Sequence, residues 1–254
     1  MANRQRGNKT QIEGLLSILY FGAGLAGFAH CTVVTIVWRY WKDVLNTCMN
    51  NVQCNNCILY ATTLSRTVSG SDTALCKYVA FVPVPIVVWA VIIGSYHGYR
   101  ACHVGRRKHS AQRRQSATFG SGVNRLPSKR HNSLCYSSLF LIAVIISIIS
   151  IAISIAVTHG YYSTCASYKN TVVKYLSASG NLAAMVQERM TCGTVYDFLD
   201  YIQPDPDYLE IKLRRGTYII NTGLLLQLAI FSSWLSVLAW VVIAVLNAIV
   251  GFTS

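Results

Sequence analysis

Four long apolar runs constrain the fold of this chain more strongly than any other feature of its sequence. An α-helix needs about 20 mostly apolar residues to cross a hydrocarbon core that is roughly 30 Å thick. Each run is long enough for this, and a helix satisfies its own backbone hydrogen bonds, as lipid requires. We therefore predict an all-α membrane protein, a four-transmembrane-helix bundle. The predicted spans are residues 15–38, 77–99, 134–158 and 217–250.

The composition agrees with a membrane protein. Hydrophobic residues make up 53% of the 254-residue chain and charged residues only 12%, about half of the roughly 25% found in soluble domains. The net charge of +13 is unevenly distributed, because residues 100–133 hold nine Lys and Arg and no acid. Such one-sided basicity indicates anionic lipid as a partner of this stretch, and it argues against a nucleic-acid-binding protein.

The same charge pattern orients the predicted spans, because basic loops face the cytosol. We expect the N-terminus, the basic loop and the C-terminus to be cytosolic, and the basic loop to be largely disordered. The plasma membrane is the expected location, with an endomembrane as the alternative. The predicted segments are a cytosolic tail at 1–14, outer loops at 39–76 and 159–216, the basic loop at 100–133 and a cytosolic end at 251–254.

Six of the nine cysteines lie in the two loops assigned to the outer side. An even set of cysteines in an oxidising compartment indicates disulfides. Six cysteines can pair in more than a dozen ways, and the sequence does not choose among them, although pairs within one loop are favoured: Cys57 with Cys76 and Cys165 with Cys192. The predicted disulfide cysteines are Cys48, Cys54, Cys57, Cys76, Cys165 and Cys192.

Three residues in and around the basic loop are candidates for modification. Cys102 and Cys135 flank the loop at both membrane boundaries, where cysteines are often palmitoylated; unmodified thiols are the alternative. Ser116 follows Arg-Arg-Gln, a pattern typical of basophilic kinase sites. A phosphate there would add nearly two negative charges to a basic field and weaken its contact with anionic lipid.

Two sets of small residues fall within predicted spans. Three glycines of the first span spell GxGxxG, but the motif lies inside an apolar run and not after a strand, which argues against a dinucleotide site and favours close helix packing. Three serines of the third span recur at i, i+3 and i+7 on one helical face, where packing is favoured over a water-lined path. The predicted packing residues are Gly22, Gly24, Gly27, Ser147, Ser150 and Ser154.

The sequence contains no metal-ligand cluster, phosphate loop or nucleophile with an adjacent base, so we expect neither a cofactor nor an enzyme. His30 and His97 lie near the ends of predicted spans, and we interpret both as hydrogen-bonded or snorkelling side chains. Cys54 and Cys57 form a CxxC motif, which leaves a membrane thiol-disulfide oxidoreductase as one alternative. Such an enzyme needs a thiolate with a lowered pKa, and structural disulfides are the favoured interpretation.

The order of several short motifs is similar to that of a known family of membrane proteins. The motifs are CILYA from Cys57, LCKYVA from Leu75, the second-loop pair Cys165 and Cys192, and SSWLSVLAW from Ser232. In this order the chain resembles the transmembrane protein 179 family. The resemblance implies a small four-span protein with no catalytic residues, in which Cys57 and Cys76 are structural. The long basic loop and the additional Cys48 and Cys54 depart from the family pattern.

These observations lead to one expected function and two alternatives. We expect a non-enzymatic accessory protein with four spans that associates with another membrane protein, such as a channel or receptor, through its outer loops and helix faces. An oligomeric pore-forming channel subunit is the first alternative, because large-pore channels share the plan of four spans with cytosolic termini. The thiol-disulfide oxidoreductase that uses Cys54 and Cys57 is the second.

Overall fold

The computed structural model describes residues 2–45, 56–64, 67–115, 129–177, 179–202 and 220–253. These residues form long and short helices and one β-hairpin. The elements in chain order are α1 (Ala2–Val44), β1 (Cys57–Leu64), β2 (Thr67–Ser71), α2 (Thr73–Phe81), α3 (Pro83–Gln115), α4 (Lys129–Tyr175), α5 (Asn181–Arg189), α6 (Cys192–Ile202) and α7 (Thr222–Thr253).

In the part of the chain that the structure describes, four helical stretches are long and apolar enough to cross a membrane. This matches the predicted number of spans and supports a multi-pass integral membrane protein. The second stretch consists of α2 and α3, which meet at Pro83. Proline has no N–H to donate and is therefore accommodated at the first turn of a helix, while Val82 N still donates to Tyr78 O at 3.0 Å. The candidate spans are Gln11–Lys42, Thr73–Cys102, Tyr136–Tyr175 and Thr222–Gly251.

The helices extend well beyond the predicted spans. α3 continues to Gln115 and α4 begins at Lys129, so the basic loop is helical at both ends, and the expectation of a largely disordered loop is wrong for these parts. α4 also runs to Tyr175, and α5 and α6 follow it within the stretch predicted as the outer loop 159–216. Hydropathy marks where a helix meets lipid but not where it ends, and the Arg, Ala and Gln of these flanks are good helix formers.

The described residues form two compact units. In the first, segments of α1, α3, α4 and α7 surround a core in which each helix contributes a buried alanine, which lets the backbones approach closely. Tyr20 and Trp240 fill the space between them in an edge-on contact at 5.6 Å. The unit comprises Met1–Gly27, Pro85–Ile151 and Leu235–Ser254, and its core alanines are Ala23, Ala90, Ala143 and Ala244.

The second unit, Phe28–Val84 and Ala152–Trp234, contains the antiparallel pair β1 and β2. The expectation of an all-α fold is therefore wrong in this detail. The two strands carry many β-branched residues (CILYATTL and TVSGS), which favour extended backbone. The pairing shifts between Cys57 and Thr62, where Tyr60 takes a positive φ of 60°. An irregularity of this kind re-aims the strand without ending the ladder.

Hydroxyl groups of α4 fasten the hairpin to the helix. Thr164 Oγ1 accepts from Ala61 N at 3.0 Å and donates to Ile58 O at 2.9 Å. On the next two turns of α4, Ser167 Oγ accepts from Thr63 N at 3.1 Å, and Thr171 Oγ1 lies 2.8 Å from Thr63 Oγ1. These three hydroxyls stand at i, i+3 and i+7 on one face of α4, and they satisfy strand groups that a lone hairpin would leave unpaired.

A buried carboxylate fixes the start of α7 in the same unit. Asp200 of α6 accepts from Thr222 N at 2.7 Å and from Thr222 Oγ1 at 2.6 Å. A carboxylate at a helix N-terminus pairs with otherwise unsatisfied N–H groups and with the positive end of the helix dipole. Trp41 Nε1 of α1 donates to the same threonine hydroxyl at 2.9 Å, so α1, α6 and α7 meet at this point.

Candidate functional site

Among the described residues outside the candidate spans, exposed large apolar side chains occur just after α4 and on α5. None of the residues of α5 is buried. Leu182 and Met185 stand three residues apart on one helical face and are 51% and 58% exposed, and Leu176 precedes them in the connecting turn, also exposed. We name Leu176, Leu182 and Met185 the α5 surface. Exposed apolar side chains outside the candidate spans make this segment a candidate contact surface.

A rigid frame holds the α5 surface in place. Disulfides join Cys57 to Cys76 and Cys165 to Cys192, with Cα–Cα distances of 5.6 and 5.4 Å that lie in the ordinary range. The second disulfide ties the first residue of α6 to α4, so both ends of the segment that carries α5 are anchored. Lys169 Nζ of α4 also donates to Gln187 O of α5 at 3.0 Å.

The packing of α6 against α4 completes this frame. Tyr196 is buried, stacks on Tyr161 with ring centroids 4.9 Å apart, and donates from Oη to Tyr161 O at 3.2 Å. Burial raises the pKa of the Tyr196 phenol above its usual range, so the hydroxyl keeps the proton that this bond requires. Gly223 of α7 lies against the same side chain, since a Cβ there would meet Tyr196 Cβ at 3.2 Å.

The first unit contains a buried ionisable cluster that we name the Glu13 cluster: Glu13, His97, Arg100 and Tyr136. His97 Nδ1 lies 2.6 Å from Glu13 Oε2, and Arg100 Nη2 lies 3.4 Å from Glu13 Oε1. Tyr136 Oη donates to the same Oε1. The carboxylate, which only accepts, thus receives donors from α3 and α4 and joins both helices to α1. The residues lie at one end of three candidate spans.

Tyr20 covers the other side of the cluster. Its ring stacks on the His97 imidazole with centroids 5.6 Å apart and an interplanar angle of 11°, and Asn247 Nδ2 of α7 donates to its hydroxyl at 3.2 Å. All four helices of the first unit therefore meet around one polar core. Within the described residues, His97 Nε2 and Asn247 Oδ1 are buried without a protein hydrogen-bond partner.

The sequence interpretation of the histidines anticipated hydrogen bonding but not the partners. His30 Nδ1 lies 3.0 Å from Ala229 O, so it joins α1 to α7 within the second unit. Glu13 lies in the predicted cytosolic tail, and the sequence does not identify it as the partner of His97. The sequence does place Glu13 at the start of the first span and His97 at the end of the second, and these two ends lie at the same membrane face.

The predicted disulfide residues have different outcomes. Among the described residues, the disulfides Cys57–Cys76 and Cys165–Cys192 are the within-loop pairs favoured from the sequence. Cys48 and Cys54 lie outside the described residues, so the CxxC motif is described only at Cys57. That cysteine is fully buried as well as bonded.

The predicted modification residues are only partly described. Cys102 is a free, exposed cysteine on α3, a position that leaves acylation open. Cys135 belongs to α4, but its side chain lies outside the described set, and Ser116 lies outside the described residues altogether. Both predictions stay predictions.

The predicted packing glycines do not act alike. Cβ atoms added to Gly24 and Gly27 would meet Ala90 Cβ at 3.4 Å and Val87 Cγ2 at 2.9 Å, so both glycines lie close to α3. Gly22 has nothing within 4 Å of an added Cβ. The expectation of a packing contact within the chain is therefore wrong for Gly22, which faces away from α3.

The three predicted serines are buried, two of them in the first unit and one in the second. Ser147 Oγ donates back to Ala143 O at 2.8 Å, a bond within its own helix. Ser154 Oγ has no hydrogen-bond partner among the described residues. These contacts fit packing positions on α4.

The described residues contain no group of three or more His, Cys, Asp or Glu side chains that could hold a metal ion. No protein-family model matches the chain, and no curated protein or solved structure shows significant similarity to it. The resemblance to the transmembrane protein 179 family stays a prediction.

Proposed function

We propose that the protein is a non-enzymatic accessory protein with four spans that binds another membrane protein, a channel or a receptor subunit. The observation that carries the proposal is the α5 surface, whose apolar side chains stand exposed outside the candidate spans. The Cys165–Cys192 disulfide, the bond from Lys169 to Gln187 O and the packing of α6 on α4 hold it in position, which reduces the ordering cost of binding.

The proposed orientation follows from charge and from redox chemistry. Disulfides persist in oxidising compartments, so the second unit's two bonds favour the outer or lumenal side for the segments that carry them. The basic stretch 100–133 then faces the cytosol next to anionic lipid. With this orientation both termini are cytosolic, and the plasma membrane is the proposed location.

The oxidoreductase alternative receives less support from the described residues. A catalytic CxxC motif needs an accessible thiolate, whereas Cys57 is fully buried and bonded to Cys76. The bond makes Cys57 a poor candidate for thiol exchange. The same bond joins the hairpin to α2, which is a structural role.

The test is a charge substitution within the α5 surface, made in the full-length protein expressed in cells. Met185→Asp places a carboxylate in the proposed apolar contact, and Gln187→Asp places one on the same helix at an exposed polar position. After crosslinking and purification in mild detergent, we expect a stoichiometric membrane-protein partner with the unmodified chain and with Gln187→Asp. We expect at least a roughly tenfold loss of that partner with Met185→Asp, as for a central interface residue.

Three outcomes would overturn the proposal. One is a monomeric mass with no stoichiometric partner, and another is equal recovery of the partner by both variants. The third is ion conductance by the pure protein in liposomes, which would establish the pore-forming alternative instead.

A further inference from the structure

A cleft in the second unit lies between α4, the start of α6 and α7. Its volume is about 530 Å³, within the roughly 300–1,000 Å³ that small-molecule sites occupy. It is separate from the α5 surface and uses none of its residues. Its walls come from three elements that side chains and one disulfide hold together.

The back of the cleft is rigid. Tyr161 is buried against Tyr196, and its hydroxyl accepts from Gln227 Nε2 at 3.1 Å. Cys192, at the inner wall, is bonded to Cys165 one turn of α4 beyond Tyr161. Because the positions of these groups are fixed by covalent and stacking contacts, the cleft is preformed and a ligand need not order it.

The front of the cleft is aromatic and open. Tyr162, Phe231 and Trp234 border it, and all three side chains are exposed, Phe231 to 68%. Phe231 and Trp234 belong to the candidate span Thr222–Gly251, and Tyr162 belongs to the candidate span Tyr136–Tyr175, both apolar enough to suit a lipid environment. Trp234 Nε1 donates to Thr158 Oγ1 at 3.2 Å, which holds one ring in position.

The cleft changes in polarity along α7. Gln227 lies near the start of the candidate span Thr222–Gly251, and Thr191 faces it from the residue that precedes α6. Deeper along the same helix the wall becomes apolar, with Ile230 followed by Phe231 and Trp234. An occupant therefore meets hydrogen-bonding groups at the membrane boundary and rings toward the membrane interior.

The charge of the lining narrows the class of lipid. No Lys, Arg, Asp or Glu is among the described residues that line the cleft. A phospholipid headgroup or a fatty-acid carboxylate would find no cation there, and buried phosphate or carboxylate groups require such partners. A neutral lipid with a single hydroxyl needs no cation, and the amide of Gln227 and the hydroxyls of the lining can pair with its hydroxyl.

We propose that this cleft binds a sterol, with its hydroxyl toward Gln227 and Thr191 and its fused rings against Phe231 and Trp234. Flat ring systems make extensive contact with aromatic faces, and their rigidity lowers the entropy lost on binding. The inference does not depend on the proposed accessory function, because the α5 surface and the cleft share no residue.

The experiment uses the full-length protein in nanodiscs that contain a photoactivatable, clickable cholesterol analogue. Phe231→Ala removes an exposed rim ring without opening the core, and Leu238→Ala is its control, 63% exposed on the same helix but outside the cleft. We expect Phe231→Ala to reduce labelling about fivefold, a loss in line with one aromatic contact. Leu238→Ala should label as the unmodified chain does.

A second pair of variants fills space instead of removing it. A Cβ at Gly193 meets nothing closer than 3.8 Å, so Gly193→Leu directs a side chain into the cleft, whereas Gly22→Leu adds the same atoms where nothing lies within 4 Å. We expect labelling to be lost only in Gly193→Leu, with the Cys165–Cys192 bond retained in a non-reducing peptide map. Excess unlabelled cholesterol should compete for the unmodified protein.

Either of two results would overturn the proposal. Labelling that is the same in Phe231→Ala as in Leu238→Ala would place the sterol elsewhere. A photoactivatable phosphatidylcholine that labels the cleft peptides as strongly, and is displaced equally well by unlabelled phosphatidylcholine, would make the occupant an ordinary acyl chain.

Discussion

The two compact units of this protein are stabilised by different chemistry. In the first, alanines from four helices pack closely and a buried ionisable cluster joins α1, α3 and α4. In the second, two disulfides, a row of α4 hydroxyls and a capping carboxylate fix a hairpin and short helices. The disulfides of the second unit suit the oxidising outer or lumenal side proposed for it, because disulfides persist in oxidising compartments.

The two kinds of stabilisation also act on different parts of the molecule. The Glu13 cluster connects residues on different long helices, so its loss affects how helices associate. The second unit's disulfides join α2 and α4 to the hairpin and to α6, so their loss affects the segments that these helices hold in place. Substitutions that separate these effects test the comparison directly.

The largest effect is expected at Glu13. Glu13→Ala leaves His97, Arg100 and Tyr136 without their common acceptor, and breaking one partner of a buried ionic group costs about 3–5 kcal/mol. We expect a decrease of that size in the free energy of unfolding, measured by SDS titration in mixed micelles. Glu188→Ala, an exposed site on α5, is the control and should stay within about 0.5 kcal/mol. An equal, small effect of both substitutions would show that the cluster contributes little to helix association.

Removal of a disulfide should have the next largest effect. The double substitution Cys165→Ser and Cys192→Ser opens a loop with a sequence separation of 27, for which the chain-entropy cost is about 3–4 kcal/mol. We expect a lower thermal midpoint together with faster hydrogen exchange in α6, and no change in the exchange of Tyr20 and its neighbours. Cys102→Ser, at an exposed free cysteine, should change neither quantity. Faster exchange throughout the first unit would contradict the separation of the two units.

Asp200 tests the second unit without touching a cysteine. Asp200→Ala leaves the amide and the hydroxyl of Thr222 without their carboxylate acceptor, and unsatisfied buried groups of this kind cost about 1–3 kcal/mol. Asp197→Ala is a matched control on the same helix, where the side chain is exposed. We expect the thermal midpoint to fall for Asp200→Ala alone. The absence of any difference between the two would mean that water replaces the carboxylate at the start of α7.

The sequence predicts the number of membrane spans far better than it predicts the structure of the second unit. Apolar run lengths are sufficient to count the spans, because lipid imposes a minimum helix length. Cysteine number and side indicate disulfides, but pairing depends on chain geometry that composition does not contain. The hairpin is not predicted from the sequence because CILYATTL lacks strict alternation of apolar and polar residues. Ser65 and Arg66, which separate the two strands in sequence, are also not a typical hairpin turn pair.

The Glu13 cluster illustrates what a single sequence does not provide. Glu13 and His97 lie 84 residues apart, and nothing in the local pattern of either residue indicates the other. Only the alternation of spans brings their ends to one membrane face, and that argument yields a region and not a contact. The difference between Gly22 and Gly24 has the same origin, because the motif specifies spacing whereas the neighbouring helix decides which glycine is covered.

The smallest effects should differ in sign between the units. A Cβ at Gly160 would approach Leu59 Cβ and Tyr60 Cε2 to 3.0 Å, so the hairpin must shift to admit it. Overpacking costs about 1–3 kcal/mol, and the gain in helix propensity from Gly to Ala returns about 0.5–1 kcal/mol, so Gly160→Ala should destabilise by about 1 kcal/mol. Gly22→Ala meets nothing within 4 Å and should stabilise by up to about 1 kcal/mol. SDS titration of both variants provides the measurement, and a stabilising Gly160→Ala would show that the hairpin does not lie closely against α4.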